Sequence, residues 1–157
     1  MITFSLISES KHWPARIKRI TGLVNKILFY KRALKFDNKI NYHCNIILTN
    51  NKMIKKINFK FRKKNYSTDV LTFVSQLDIV KRKKKKICDI FLSAEIIKKD
   101  SKINKIDFYS HLTHLLIHSF LHINGFDHKN KIAFNKMKNL EINILNKLKI
   151  NNPYLQN

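Results

Sequence analysis

The stretch H-L-T-H-L-L-I-H-S-F-L-H-I-N-G-F-D-H (111–128) holds five of the chain's seven histidines and one of its two glycines. His114, His118 and His122 are spaced four apart. On a helix each such step drifts only ~40° and rises ~6 Å, so the three share a face. Any adjacent pair can reach one metal ion, as in an H-x-x-x-H motif. Asn124-Gly125 then reads as a helix stop, because glycine accepts the left-handed conformation that turns the chain. That reversal can bring His128 back as a third ligand. Three imidazoles leave the fourth tetrahedral position to water, the arrangement of a catalytic zinc site. A single histidine on an amphipathic helix is more often only packed there. Paired spacing, a stop and a further histidine together point to metal.

The spacing admits either His114/His118 or His118/His122 as the helical pair. Nearness to the turn favours the second. His114 then stands behind the ligands or faces substrate, and His111 is expected at the surface. Ser119 follows His118 where H-E-x-x-H metallopeptidases carry a glutamate base, which weakens a peptidase reading. In F-K-F-R-K-K-N-Y (59–66), aromatic and cationic residues interleave, which suits single-stranded RNA: bases stack on rings while phosphates meet cations. The plainer alternative is that Phe59 and Phe61 pack in the core beneath a wet basic loop.

These residues need a scaffold. I-T-F-S-L-I (2–7) alternates and is β-rich, predicting a first strand. Helical spacing of Ile17, Ile20, Val24, Ile27 and Leu28 predicts a helix from Pro14 to about Phe36. A second strand is expected over 41–50, then a short helix carrying Met53, Ile54 and Ile57, capped by Asn50 or Asn51. A third strand is expected over 68–74 and a fourth over 87–93, with Lys81–Lys86 between them as a solvated loop. Ser93 reads as the N-cap of the following helix. A long helix is expected from about Asp107 to Ile123. The last helix runs from about Lys131 to Leu148, burying Phe134, Met137, Leu140 and Ile144. This order predicts an α+β fold: one domain over 1–157 with a mixed sheet of about four strands against several helices. The metal site would lie on the long helix and the loop after it.

Composition sets limits. At 157 residues the chain can bury a real core. No apolar run reaches the eighteen residues a membrane helix needs, and the N-terminus does not read as a secretory signal, so a cytoplasmic protein is expected. Cys44 and Cys88 lack C-x-x-C spacing and read as buried free thiols in a reducing compartment. The 32 Lys and Arg against 10 Asp and Glu give a net charge of +22, which attracts polyanions, nucleic acid first. The same excess of Lys, Asn and Ile arises when A- and T-rich codons accumulate, so charge alone decides little. No helix-turn-helix or zipper pattern suggests a transcriptional regulator.

H-S-F-L-H-I-N-G-F-D-H (118–128) resembles the H-G-x-L-H-L-x-G-Y-D-H signature of the YbeY family, metal-dependent endoribonucleases of ribosomal RNA maturation. F-R-K-K-N-Y-S-T-D-V-L-T-F (61–73) is similar to that family's R…P-T-D-V-L-S-F segment, and C-D-I-F-L-S-A-E (88–95) resembles its G-D-I block. The blocks occur in family order and span about residues 40 to 148. Ser119, Phe126, Ser67 and Cys88 depart from the pattern without removing a ligand. The resemblance implies one Zn2+ on His118, His122 and His128, with Arg62 as the functionally important arginine. It also implies ribosomal RNA and small-subunit ribosomal particles as partners, with no membrane and no small-molecule cofactor.

On this reading zinc lowers the pKa of its water towards ~7 and polarises a phosphodiester, and Arg62 stabilises the charge of the transition state. Asp127 is a candidate to orient a ligand imidazole or the water, or else to stabilise the turn. His114 is a candidate proton shuttle. A rival from another class is a non-catalytic RNA-binding module whose zinc only staples the fold.

Overall fold

A computed structural model describes residues 1–13 and 16–155 of the chain. Pro14, expected near the start of the first helix, lies outside the described residues. The β-branched and alternating segments become the strands β1 (Ile2–Ser8), β2 (Ile40–Thr49), β3 (Val70–Val74), β4 (Asp78–Val80) and β5 (Lys83–Ser93). The apolar-periodic segments become the helices α1 (Ile17–Phe29), α2 (Asn51–Arg62), α3 (Ala94–Ile103), α4 (Phe108–Ile123) and α5 (Lys131–Lys147). The class is α+β, as the pattern predicts.

The sheet runs in the order β1-β2-β5-β3, with β4 also paired to β5. β1, β2 and β5 are mutually parallel, and β3 and β4 lie antiparallel to β5. Five strands therefore replace the expected four. The additional pairing comes from the lysine run. Lys83–Lys86 lie within β5, with Lys84–Lys86 paired to β2 and Lys83–Lys85 paired to β4, so only Lys81 and Arg82 form the turn. Both turn residues have positive φ, 49° and 64°, as a two-residue hairpin loop requires. Hydrogen bonds to neighbouring strands hold the lysines in a ladder while their side chains stay exposed or nearly so.

α1 ends at Phe29 rather than continuing to Phe36; the segment beyond it is turns, closed by Lys35 at φ 64°. Asn50 caps α2, its side chain accepting from Met53 N at 3.0 Å. Ser93 occupies the N-cap position of α3 without capping it: its hydroxyl donates instead to Asn51 Oδ1 at 2.5 Å. Phe134 is 39% exposed rather than buried, and Glu141 joins Met137, Ile144 and Leu145 on the buried face of α5.

α4 holds the molecule together. Leu112, Leu116, Ile117, Phe120 and Leu121 are fully buried, each worth ~1.5–3 kcal/mol relative to an exposed position. The helix packs against α1, α3, α5 and β3. Asp107 caps it by accepting from the backbone N–H groups of Tyr109 and Ser110, both at 3.0 Å. Cys44 and Cys88, side by side on β2 and β5, are buried free thiols.

Candidate metal centre

α4 ends as glycine and the chain turn demand. Gly125 has φ +86°; its N–H donates to the His122 carbonyl at 3.0 Å and that of Phe126 to the Leu121 carbonyl at 3.1 Å. This pair of bonds is a Schellman closure. It places the Phe126 carbonyl 2.8 Å from His122 Nδ1 and carries His128 back over the helix. The His128 ring lies 5.3 Å from that of His118 and 5.1 Å from that of His122. One ligand nitrogen from each of the three falls within 4.8 Å of the others.

The hydrogen bonds fix which nitrogens are free. His118 Nδ1 lies 2.6 Å from Glu141 Oε1, and His122 Nδ1 faces the Phe126 carbonyl. A carboxylate and a carbonyl only accept, so both Nδ1 atoms carry a hydrogen, and a neutral ring in that tautomer has its lone pair on Nε2. Those Nε2 atoms lie 2.9 Å apart. A shared proton or a metal cation would join two nitrogens so placed. Burial first, then the neighbouring His118, lowers the His122 pKa to about 4, so its ring is neutral at pH 7. Neutral nitrogen donors near a turn that adds a third fit a zinc ion with ~2.0–2.1 Å bonds.

Glu141 is the residue the sequence does not reveal. It is fully buried and accepts from His118, from His114 Nε2 at 2.8 Å, and from the Tyr154 hydroxyl. Burial alone would raise its carboxyl pKa; the hydrogen bonds from His114 and His118 outweigh that and bring it down to about 2. A carboxylate behind a ligand imidazole fixes the tautomer and strengthens the donor. An acid on an otherwise apolar stripe, at Met137, Glu141 and Ile144, is the only trace this leaves in the pattern.

The cleft of the three histidines is lined on its other side by Arg62, Thr68, Asp69, Val70, Thr72 and Val74. Arg62, the last residue of α2, donates from Nη2 to the Thr72 carbonyl at 3.3 Å and lies over the Phe73 ring. Phe59, Phe61 and Tyr66 are 55%, 60% and 54% exposed, so the first two do not pack in the core. Asp127 sits in the turn: its Oδ1 accepts from Lys129 N at 3.2 Å, and the carboxylate that orients an imidazole is Glu141. His114 is bound to Glu141 and lines a different cavity, with Asp107, Ser110 and His111. His111, expected at the surface, is half-buried.

Comparison with known proteins identifies the family. The endoribonuclease YbeY family profile matches residues 7–149. The chain belongs to the YbeY family. An endoribonuclease YbeY of Pelagibacter ubique is 38% identical over 138 residues, covering 87% of this chain and 90% of its own. Another, of Ehrlichia chaffeensis, is 35% identical over 155 residues, covering 97% and 90%. The fold resembles a Thermotoga maritima protein solved in solution, with a TM-score of 0.57, 25% identity and coverage of 98% and 95%. In this YbeY chain no helix of the described residues is long and apolar enough to cross a membrane.

Proposed function

We propose that this YbeY chain is a single-strand-specific, zinc-dependent endoribonuclease of ribosomal RNA processing, acting in the cytoplasm on small-subunit ribosomal particles. Its endoribonuclease activity and its place in ribosomal RNA processing follow from the family. The metal reading rests on one observation: the Nε2 atoms of His118 and His122 lie 2.9 Å apart, with His128 folded back beside them. His118, His122 and His128 would hold the ion. Bound there, zinc supplies Lewis-acid activation of water and of a phosphodiester.

The protein's own groups do the rest. Arg62, across the same cleft, offers a guanidinium fork to the non-bridging oxygens as charge develops on phosphorus. Its bond to the Thr72 carbonyl holds it at the cleft wall, and that anchor keeps some donors free for an anion. Exposed Phe59, Phe61 and Tyr66 beside Lys60, Lys63 and Lys64 give unpaired bases rings to stack on and phosphates cations to meet. Glu141 holds the His118 tautomer, and His114 steadies Glu141. His114 therefore acts through a carboxylate, a positioning task that its bond to Glu141 and its place outside the cleft lining favour over proton shuttling.

The test is digestion of a single-stranded RNA by zinc-loaded protein, with and without chelator, beside His118→Ala. Cleavage should vanish on chelation and in the variant, with RNA binding retained. Unchanged cleavage by metal-free protein, or by His118→Ala, would overturn the mechanism. Binding without any cleavage would favour the RNA-binding module whose zinc is structural.

A further inference from the structure

A second convergence of ligand-type side chains lies outside the three histidines. Asp69 precedes β3, Asp100 stands in the second half of α3, and His111 is in the first turn of α4. One ligand atom from each lies within 4.8 Å of the others, and all three residues are half-buried.

Their surroundings are unusual for this chain. With 32 Lys and Arg against 10 Asp and Glu, a carboxylate has cations in plenty to pair with. Yet among the described residues neither Asp69 nor Asp100 forms an ion pair. Two half-buried carboxylates brought this close repel unless a positive charge joins them. Asp69 is locked in place: its Oδ1 accepts from Val70 N at 2.7 Å and from the Thr68 hydroxyl at 3.1 Å. The third member carries an orphan. His111 Nε2 is sealed from solvent and has no hydrogen-bond partner, which costs ~1–3 kcal/mol if nothing satisfies it. Burial, the largest influence on this imidazole, lowers its pKa and keeps a lone pair available at neutral pH.

We propose that Asp69, Asp100 and His111 form a second divalent-cation site, separate from the three histidines. Two carboxylate oxygens and one imidazole nitrogen make a harder donor set than three imidazoles, and Mn2+ is the ion that such a mixture suits. A bound cation joins the two carboxylates and adds positive charge in the cleft wall, which Asp69 shares with the histidines. Nothing in this assignment depends on the nuclease reading.

The experiment is Mn2+ binding to protein already loaded with zinc, read by electron paramagnetic resonance of free Mn2+ and by elemental analysis. One Mn2+ per chain should bind in addition to zinc. Asp100→Asn combined with His111→Gln should weaken Mn2+ at least tenfold while zinc stays at one per chain. His118→Ala combined with His122→Ala should lose zinc and keep Mn2+. If the first pair does not fold, the unaltered chain gives the answer: Mn2+ should broaden the ring signals of His111 and leave those of His12 and His43 sharp. The proposal is overturned if zinc-loaded protein takes up no Mn2+, if Mn2+ is lost with His118 and His122, or if the broadening misses His111.

Discussion

Glu141 joins two needs in one side chain: it fills a core position on α5 and it sets the tautomer of His118. Gln at that position keeps the shape but removes the charge, and its single carbonyl oxygen cannot accept both from His118 Nδ1 and from the His114 and Tyr154 side. Glu141→Gln should therefore lower zinc affinity about 10–100-fold with the fold retained, as measured by chelator competition. An unchanged affinity would mean the carboxylate only packs. Arg62→Ala should abolish most cleavage with zinc content intact, by about 10²-fold or more in kcat, the usual scale for removing a charge-stabilising donor. Loss of zinc instead would assign the arginine a different role. The convergence of His118, His122 and His128 is legible because a period of four and a glycine stop are patterns within one segment. Glu141 is not, since its partners lie 23 and 27 residues away on another helix and no spacing rule links them. Asp127 neighbours His128 in sequence, yet the carboxylate that reaches the His118 imidazole is Glu141, remote in sequence and adjacent in space.

At the scale of elements, the end of α4 decides where His128 goes. Nothing lies within 4 Å of a Cβ built on Gly125, so a substitution there meets no steric clash. Its cost is the left-handed backbone alone, φ +86°. Gly125→Ala should destabilise the fold by about 1–2 kcal/mol and weaken zinc binding, since strain relieved at the turn moves His128. Denaturant melts of zinc-free and zinc-loaded protein separate the two effects; equal stability in both forms would show that the turn is not strained. The strands and helices with clear periodicity were readable from the chain, and α4 and α5 began within a residue of their expected starts. The β4–β5 hairpin was not, because its turn is Lys81-Arg82 rather than a glycine pair, and its lysines carry no apolar alternation. Backbone hydrogen bonds to β2 and β4 supplied an ordering force that side-chain hydropathy does not record.

For the molecule as a whole, charge and acid titration give opposite handles. A surface with net charge +22 should bind RNA in a steeply salt-dependent way. Between about 50 and 200 mM salt the affinity should fall by about 10³-fold or more if six or more phosphates are neutralised. Lys83→Glu with Lys85→Glu should flatten that slope while leaving cleavage at saturating RNA unchanged; an unaltered slope would free the hairpin of any role in binding. Stability of the metal-free protein should fall as pH is lowered. Unfolded, His122 takes up a proton near its ordinary 6.5, while folded it stays neutral to about 4, so acidification across that window favours unfolding. Glu141 adds to this lower down: its contribution is present above about 4.5 and is lost between there and about 2. Thermal melts from pH 7 to pH 4 should show a steady loss for the metal-free form, and a flat profile would contradict the assigned imidazole state. The three-histidine site is tested most directly by the first equivalent of zinc. X-ray absorption at the zinc edge of protein loaded with one ion should show nitrogen and oxygen ligands at ~2.0–2.1 Å with the multiple-scattering signature of three imidazoles. A spectrum with one imidazole or none, or with sulfur at ~2.3 Å, would contradict it.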